Sequence, residues 1–334
     1  MKLTIVMYHY VRQLKNSLFP EINGLETELF KEQVAFIKKY YNVISAYELM
    51  DAIQFGSSLP PNAILLSFDD GFIDHFTQVF PVLDKEKIPG CFFPSAKPIV
   101  ENKVLDVNKI HFIIASTPKK NLLVDYVFRA LDEYRDTFQL ESNDYYWQKC
   151  GIPNRFDPAE TNFVKRMLQR YIPEKLRSIL TERLFEHFVS TDGVAFSQEL
   201  YMSLDQLSYL QNNNMYIGSH GYEHCWSNSV SLDAQKKEVD LSLQFLEQVG
   251  SDTSRWIMSY PYGGYDESLL SILREKNCKA GFGTEVEIAD LSKHDPLILP
   301  RLDVNDLPKD ANAAPNKWVQ KIRKSENAEK EIWT

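Results

Sequence analysis

Three short segments carry the residue types from which a hydrolytic metal site can be assembled. Ser67-Phe68-Asp69-Asp70-Gly71 ends the apolar run Ala63 to Leu66 and delivers two adjacent carboxylates to a strand end. Neighbouring strand residues point to opposite faces, so both aspartates serve one site only if the chain bends there, which a following glycine allows. An acidic turn is the competing reading, since Asp and Gly are common turn formers. Gly218-Ser219-His220-Gly221-Tyr222-Glu223-His224 follows the run Met215 to Ile217 and places two imidazoles four residues apart. With one aspartate they make a two-His, one-carboxylate set, an open arrangement for zinc and related divalent ions. Ser259-Tyr260-Pro261-Tyr262-Gly263-Gly264-Tyr265, after Trp256 to Met258, is an irregular strand-to-helix turn held by Pro261 and the glycines. Such turns present backbone N–H groups to anions.

In this order, each at a strand end, the segments resemble the motifs of the NodB-type polysaccharide deacetylases, carbohydrate esterase family four. Those motifs read T/S-F-D-D-G, H-S/T-x-x-H and R-x-P-Y. The resemblance implies a distorted (β/α)7-type barrel and metal-dependent deacetylation. It also implies Asp69 as general base, Asp70, His220 and His224 as metal ligands, and the Tyr262 N–H as donor to the oxyanion. The residues alone do not distinguish base from ligand within the aspartate pair. Metal chemistry suits the task, because amide hydrolysis near neutrality needs water acidified and a carbonyl polarised. A neighbouring carboxylate takes the water's proton.

Two departures stand out. Ser259 occupies the position of the third motif's arginine, and Tyr-Pro-Tyr-Gly resembles the subgroup that includes poly-N-acetylglucosamine deacetylases. The late Leu-x-His motif is not found, and His294, in Leu291-Ser292-Lys293-His294, has the wrong spacing. His9, just past the run Leu3 to Val6, is the free histidine at a predicted strand end and is expected to line the site as proton donor or substrate contact. A buried structural histidine is the alternative. Arg301 and Asp303, near the end of the last apolar run, are expected to orient Asp69 or bind substrate oxygens, against the alternative of a surface ion pair. Pro261 is expected to shape the substrate side of the third segment.

Apolar strands alternate with amphipathic helices around these segments. Strands are expected at about 3–7, 63–68, 90–93, 215–218, 256–259, 280–283 and 298–302, and helices at 26–41 and 232–249. The alternation argues for an α/β fold with a parallel sheet. Residues 1–100 and 205–307 form the expected barrel, interrupted by a helical insertion over 101–204. Its aromatics Tyr145, Tyr146, Trp147 and Phe156 either stack on sugars or build a small core. A polar tail or peripheral helix is expected over 308–334.

The chain has 334 residues, 44% of them hydrophobic, and a net charge of −9. It has no basic tract of the kind that tracks phosphates, so nucleic acid is not an expected partner. No apolar run approaches the length of a membrane span, and no signal-peptide pattern opens the chain, so a cytoplasmic location is expected. The cysteines Cys91, Cys150, Cys225 and Cys278 read as reduced thiols, and Cys225, directly after His224, is either an ordinary buried thiol or a soft ligand. No dinucleotide loop, P-loop or nucleophile elbow is present, and no organic cofactor is expected.

The expected activity is removal of an acyl group, acetyl first, from an amino sugar of a glycan or glycan precursor, using one divalent ion, zinc or a substitute such as cobalt or nickel. A deformylase or O-acetyl esterase on the same scaffold, and a non-catalytic sugar-binding protein, are the alternatives.

Overall fold

The computed structural model describes residues 1–154 and 157–332, with side chains through residue 324. Backbone contacts divide the chain into two compact units: Met1–Arg12, Gly24–Glu101 and Gln198–Thr334 form the first, Gln13–Asn23 and Asn102–Ser197 the second.

The first unit is a mixed α/β fold. Its sheet runs in the order Ala289–Asp290, Lys2–Tyr8, Ala63–Asp70, Cys91–Pro94, Tyr216–Ile217. Only the Ala289–Asp290 pairing is antiparallel along that path. Asn42–Val43 pairs in parallel with Ala63–Asp70, and Leu302–Asp303 with Lys2–Tyr8. Trp256–Ser259 and Cys278–Phe282 form a further parallel pair. Single parallel bridges join Ser219 to Met258 and Phe282 to Leu299.

Parallel sheets are covered on both faces, which is why Ala63–Asp70 is buried throughout and reads as a continuous apolar run. Its alternation feeds two separate cores. Ile64, Leu66 and Phe68 join one with Val6, Phe92 and Ile217. Ala63 and Leu65 join the other with Ile5, Phe93, Ile257 and Leu299. Continuing each period by two puts Ser67, Asp69, Ser259 and Arg301 on the side of the second core.

Glycine and proline trim the expected strands. A Cβ on Gly218 would lie 2.5 Å from the Phe93 ring and 2.8 Å from the Ile257 carbonyl, so only glycine lets these backbones approach. The strand expected over 298–302 shrinks to Leu302–Asp303, because Pro300 has no N–H and Pro296–Ile298 closes a 3-10 turn.

The surrounding helices begin where their caps stand. Helix Leu232–Val249 starts at Ser231, whose hydroxyl accepts from the Ala234 N–H at 3.3 Å. Helix Leu204–Asn212 starts at a capping box, with Ser203 N–H donating to Gln206 Oε1 at 2.9 Å and Gln206 N–H to Ser203 Oγ at 3.2 Å. Helix Lys317–Ile332 buries Trp318, Val319 and Ile322 in the first core, so its first turns are packed.

The second unit is helical, including Asp106–Ala115, Lys120–Phe138, Asn143–Cys150, Ala159–Arg166 and Glu174–Phe188. The segment Gln13–Asn23, expected with the strands, belongs to it. Leu123, Val127, Phe163, Leu180 and Leu184 are fully buried. Trp147 packs on Phe163 with ring centres 5.3 Å apart and Tyr146 is buried, so these two aromatics serve the unit's own core. Tyr145 is exposed. Phe156 lies outside the described residues, as does Trp333 of the terminal stretch.

Candidate metal centre

Both aspartates lie within the strand Ala63–Asp70, in register with Phe93 and Pro94. The bend expected after the pair starts inside it: Asp70 has φ +74° and Gly71 φ +74°. A left-handed non-glycine residue is uncommon and concentrates at functional sites. Here it lets two strand neighbours face one centre. Gly71 is required, since a Cβ there would stand 2.6 Å from Pro94 Cβ.

Asp70 Oδ1 is 3.4 Å from Nε2 of both His220 and His224, and ligand atoms of the three residues lie within 4.8 Å of one another. All three are buried, and Asp70 Oδ1 has no hydrogen-bond partner. An unpaired buried carboxylate oxygen is costly, and a cation shared with two imidazoles would satisfy it. His220 Nδ1 lies 2.8 Å from the Ser259 carbonyl oxygen. A carbonyl only accepts, so Nδ1 carries the proton and Nε2 keeps its lone pair for the centre. The donor set therefore fits a divalent ion.

The loop holding the histidines is tied down by its backbone. Glu238 Oε2 accepts from the N–H groups of Tyr222 and Glu223, each at 3.0 Å. The N–H groups of Ala96 and Lys97 donate to the carbonyls of Gly221 and Tyr222. His224 is itself left-handed, at φ +56°.

Burial alone would raise the Asp70 carboxyl, but His220 and His224 outweigh it and hold it well below the usual value. Burial pushes His224 down. It acts on His220 in the same direction, yet the charges of Asp69 and Asp70 bring that imidazole above its ordinary value.

Asp69 is separately held. Its Oδ2 accepts from Arg301 Nη1 at 2.8 Å and its Oδ1 from the Ser259 hydroxyl at 3.1 Å. Arg301 is 2% exposed and also donates to the Gly283 carbonyl at 2.9 Å and to Ser67 Oγ at 3.3 Å. Burial would raise Asp69, but the guanidinium prevails and the carboxyl lies below its usual value. Arg301 thus supplies a cation beside Asp69 although Ser259 stands at the motif position. Asp303 does not join it: its carboxylate accepts from the N–H and Nδ2 of Asn305 at 2.9 and 2.7 Å, capping a short turn.

His9 is half-buried and within electrostatic reach of Asp69, Asp70 and His224. Its backbone carbonyl lies 2.9 Å from His75 Nε2. His75 is fully buried at the start of the π turn His75–Val79, and burial pushes it down to about 4. His294 accepts from the Asp290 N–H within its own loop.

Pro261 is buried, and Tyr262 follows it at φ +57°. The Tyr262 ring meets His224 edge-on with centres 4.7 Å apart. Its neighbour Trp226 stacks on it at 4.5 Å and 4° between planes. Trp226 has no motif to announce it; its one sequence signal is that it stands two residues after His224. The four cysteines are free thiols, and burial pushes Cys225 up to about 12, which disfavours the thiolate a soft ligand needs.

A family model for polysaccharide deacetylase matches residues 180–281, a stretch that includes the His220–His224 and Ser259–Tyr265 segments. The poly-β-1,6-N-acetyl-D-glucosamine N-deacetylase of Escherichia coli strain K12 is 32% identical over 72 residues, 21% of this chain and 11% of that protein. The match therefore spans about a tenth of the curated relative's length. A deacetylase from Streptococcus pyogenes, PplD, solved with acetate, has TM-score 0.58 at 16% identity, covering 97% of each chain. IcaB from Ammonifex degensii has TM-score 0.54 at 16% identity, covering 96% of each. The chain resembles the NodB-type polysaccharide deacetylases in its motifs and shares an α/β fold with these solved deacetylases over nearly its whole length. No described helix is long and apolar enough to cross a membrane.

Proposed function

We propose that the protein hydrolyses the N-acetyl group of an amino sugar in a glycan or glycan precursor, with one divalent ion held by Asp70, His220 and His224. The observation that carries this is the convergence of those three donors on an unpartnered Asp70 Oδ1, beside a second carboxylate fixed independently. Zinc suits two imidazoles and a carboxylate, with cobalt or nickel as substitutes. Such an ion, when bound, acidifies water and polarises the acyl carbonyl.

The chain's own groups do the rest. Arg301 and Ser259 fix the Asp69 carboxylate and keep it ionised at neutrality, ready to take the proton of the attacking water. The Tyr262 N–H, in its left-handed turn after Pro261, donates to the oxyanion, a contribution of about 3 kcal/mol. His9 gives a proton to the departing amine. Similarity to a poly-β-1,6-N-acetyl-D-glucosamine N-deacetylase supports acetyl as the acyl group and glucosamine as the sugar.

A distorted (β/α)7 barrel is the architecture of this reading, with the second unit as its helical insertion. The parallel pairings from Lys2–Tyr8 through Trp256–Ser259 and Cys278–Phe282 lead back to Lys2–Tyr8 by way of Leu299 and Leu302, which supports closure.

Metal content tests the assignment. After exposure to zinc and desalting, the parent and Asp69→Asn should retain about one ion per chain and Asp70→Asn far less. Equal loss in both variants would mean the two aspartates have exchanged roles, and no bound ion in the parent would end the reading.

A further inference from the structure

Trp226 is 44% exposed yet rigidly placed. Its backbone carbonyl accepts from the N–H and the hydroxyl of Ser229 at 2.8 and 2.7 Å. One ring face lies flat on Tyr262, and a Cβ at Gly264 would come within 3.4 Å of the indole. The indole is thus held on one face while the residue stays open to solvent. The stack is ordered outward from the centre: His224 touches Tyr262 edge-on, and Tyr262 carries Trp226 one ring spacing further out. The side chains that hold the indole flat are thus continuous with those of the metal centre. Ser227, beside it, is buried and its carbonyl accepts from Gln235 Nε2 at 2.8 Å, which anchors the base of the platform to helix Leu232–Val249.

We propose that Trp226, backed by Tyr262, is a sugar-stacking subsite that takes the residue next to the one losing its acetyl group, so that the substrate is an oligomer or polymer of N-acetylhexosamine rather than a single sugar or a small precursor. The inference rests on the deacetylase reading and deepens it. A pyranose presents an apolar C–H face that a flat indole covers, while its hydroxyls stay in water. An aromatic ring serves where an aliphatic chain of equal bulk does not, because the contact depends on a flat, electron-rich face. A monosaccharide held at the metal ligands would not extend to the indole, so Trp226 should leave monosaccharide turnover unchanged and act only on longer chains.

The test uses the full chain loaded with zinc and β-linked N-acetylglucosamine oligomers of increasing length. Acetate release gives kcat and KM for the parent, Trp226→Ala, Trp226→Leu and Trp226→Phe. Binding of the same oligomers is measured on the Asp69→Asn background. In the parent, KM should fall with length. In the Ala and Leu variants that fall should be lost, raising KM for longer oligomers by about tenfold, the ratio set by roughly 1.4 kcal/mol. Values for the monomer should not move, and Phe should sit near the parent. Leu keeps bulk and Phe keeps a ring, so a packing defect and a lost stack give different patterns. Acetate release with unchanged length dependence in the Leu variant overturns the subsite and leaves the deacetylase reading standing. Absence of acetate release from every oligomer, with Trp226-dependent binding on the Asp69→Asn background, overturns the activity and upholds the subsite. Loss of both overturns both.

Discussion

Arg301→Met removes a charge from a place where charge is expensive. The guanidinium and Asp69 are 2% and 1% exposed, and their contact is 2.8 Å. Surface ion pairs contribute about 0–1 kcal/mol, whereas stripping one partner from a buried pair costs about 3–5 kcal/mol, because the remaining charge is uncompensated. The buried value applies here. The Gly283 carbonyl and Ser67 Oγ also lose a donor, while methionine keeps the volume of the stem. The second effect is on protonation. Arg301 is what overcomes burial to keep Asp69 below its usual range, so without it the carboxyl titrates at higher pH and the base is protonated over more of the acid side. Urea unfolding of the parent and variant should differ by about 3–5 kcal/mol, and the acid limb of kcat/KM should move to higher pH. Arg301→Lys keeps the charge as a point rather than a fork and should recover part of both effects. A variant within about 1 kcal/mol of the parent, with its acid limb unmoved, would refute the placement of this ion pair.

Other perturbations follow from the same geometry. His75 titrates near 4 in the folded chain, below its ordinary 6.5, so the unfolded chain binds more protons between those values. Stability should be undiminished above pH 6.5 and fall by about 3 kcal/mol towards pH 4, a slope that His75→Gln should reduce in urea titrations. Glu238→Ala leaves the Tyr222 and Glu223 N–H groups without their acceptor and should weaken zinc binding by about 10- to 100-fold in competition with a chelating dye. Glu238→Gln, whose single carbonyl oxygen can accept both, should stay near the parent. His9→Ala should keep its metal and lower kcat by about 100-fold or more, and turnover within a few-fold of the parent would remove His9 as the acid.

The strands that carry the centre were legible because parallel strands buried on both faces read as apolar runs, and Trp256–Ser259 appears over its expected span. Asn42–Val43 and Ala289–Asp290 were not, since two-residue strands with polar members owe their pairing to tertiary contact rather than pattern. The three motifs announced the cluster of Asp70, His220 and His224, but the partner of Asp69 lay 232 positions away. Arg301 was visible as a candidate, and alternation from Leu299 explains why it reaches the carboxylate. Asp303, two residues on, was read with it. Local chemistry decides otherwise, because a short Asp side chain caps its own turn before it reaches across a site. His75 and Trp226 had no motif at all: a buried histidine in a helical stretch and an aromatic in a polar loop acquire meaning only when the fold brings them to His9 and Tyr262.

Acetate release from N-acetylglucosamine oligomers tests the central claim most directly, measured on one preparation before chelation, after metal removal, and after addition of one equivalent of zinc. Release that disappears with the metal, returns with zinc and stays absent in Asp70→Asn is the predicted result; release that persists in the metal-free protein or in Asp70→Asn would contradict it.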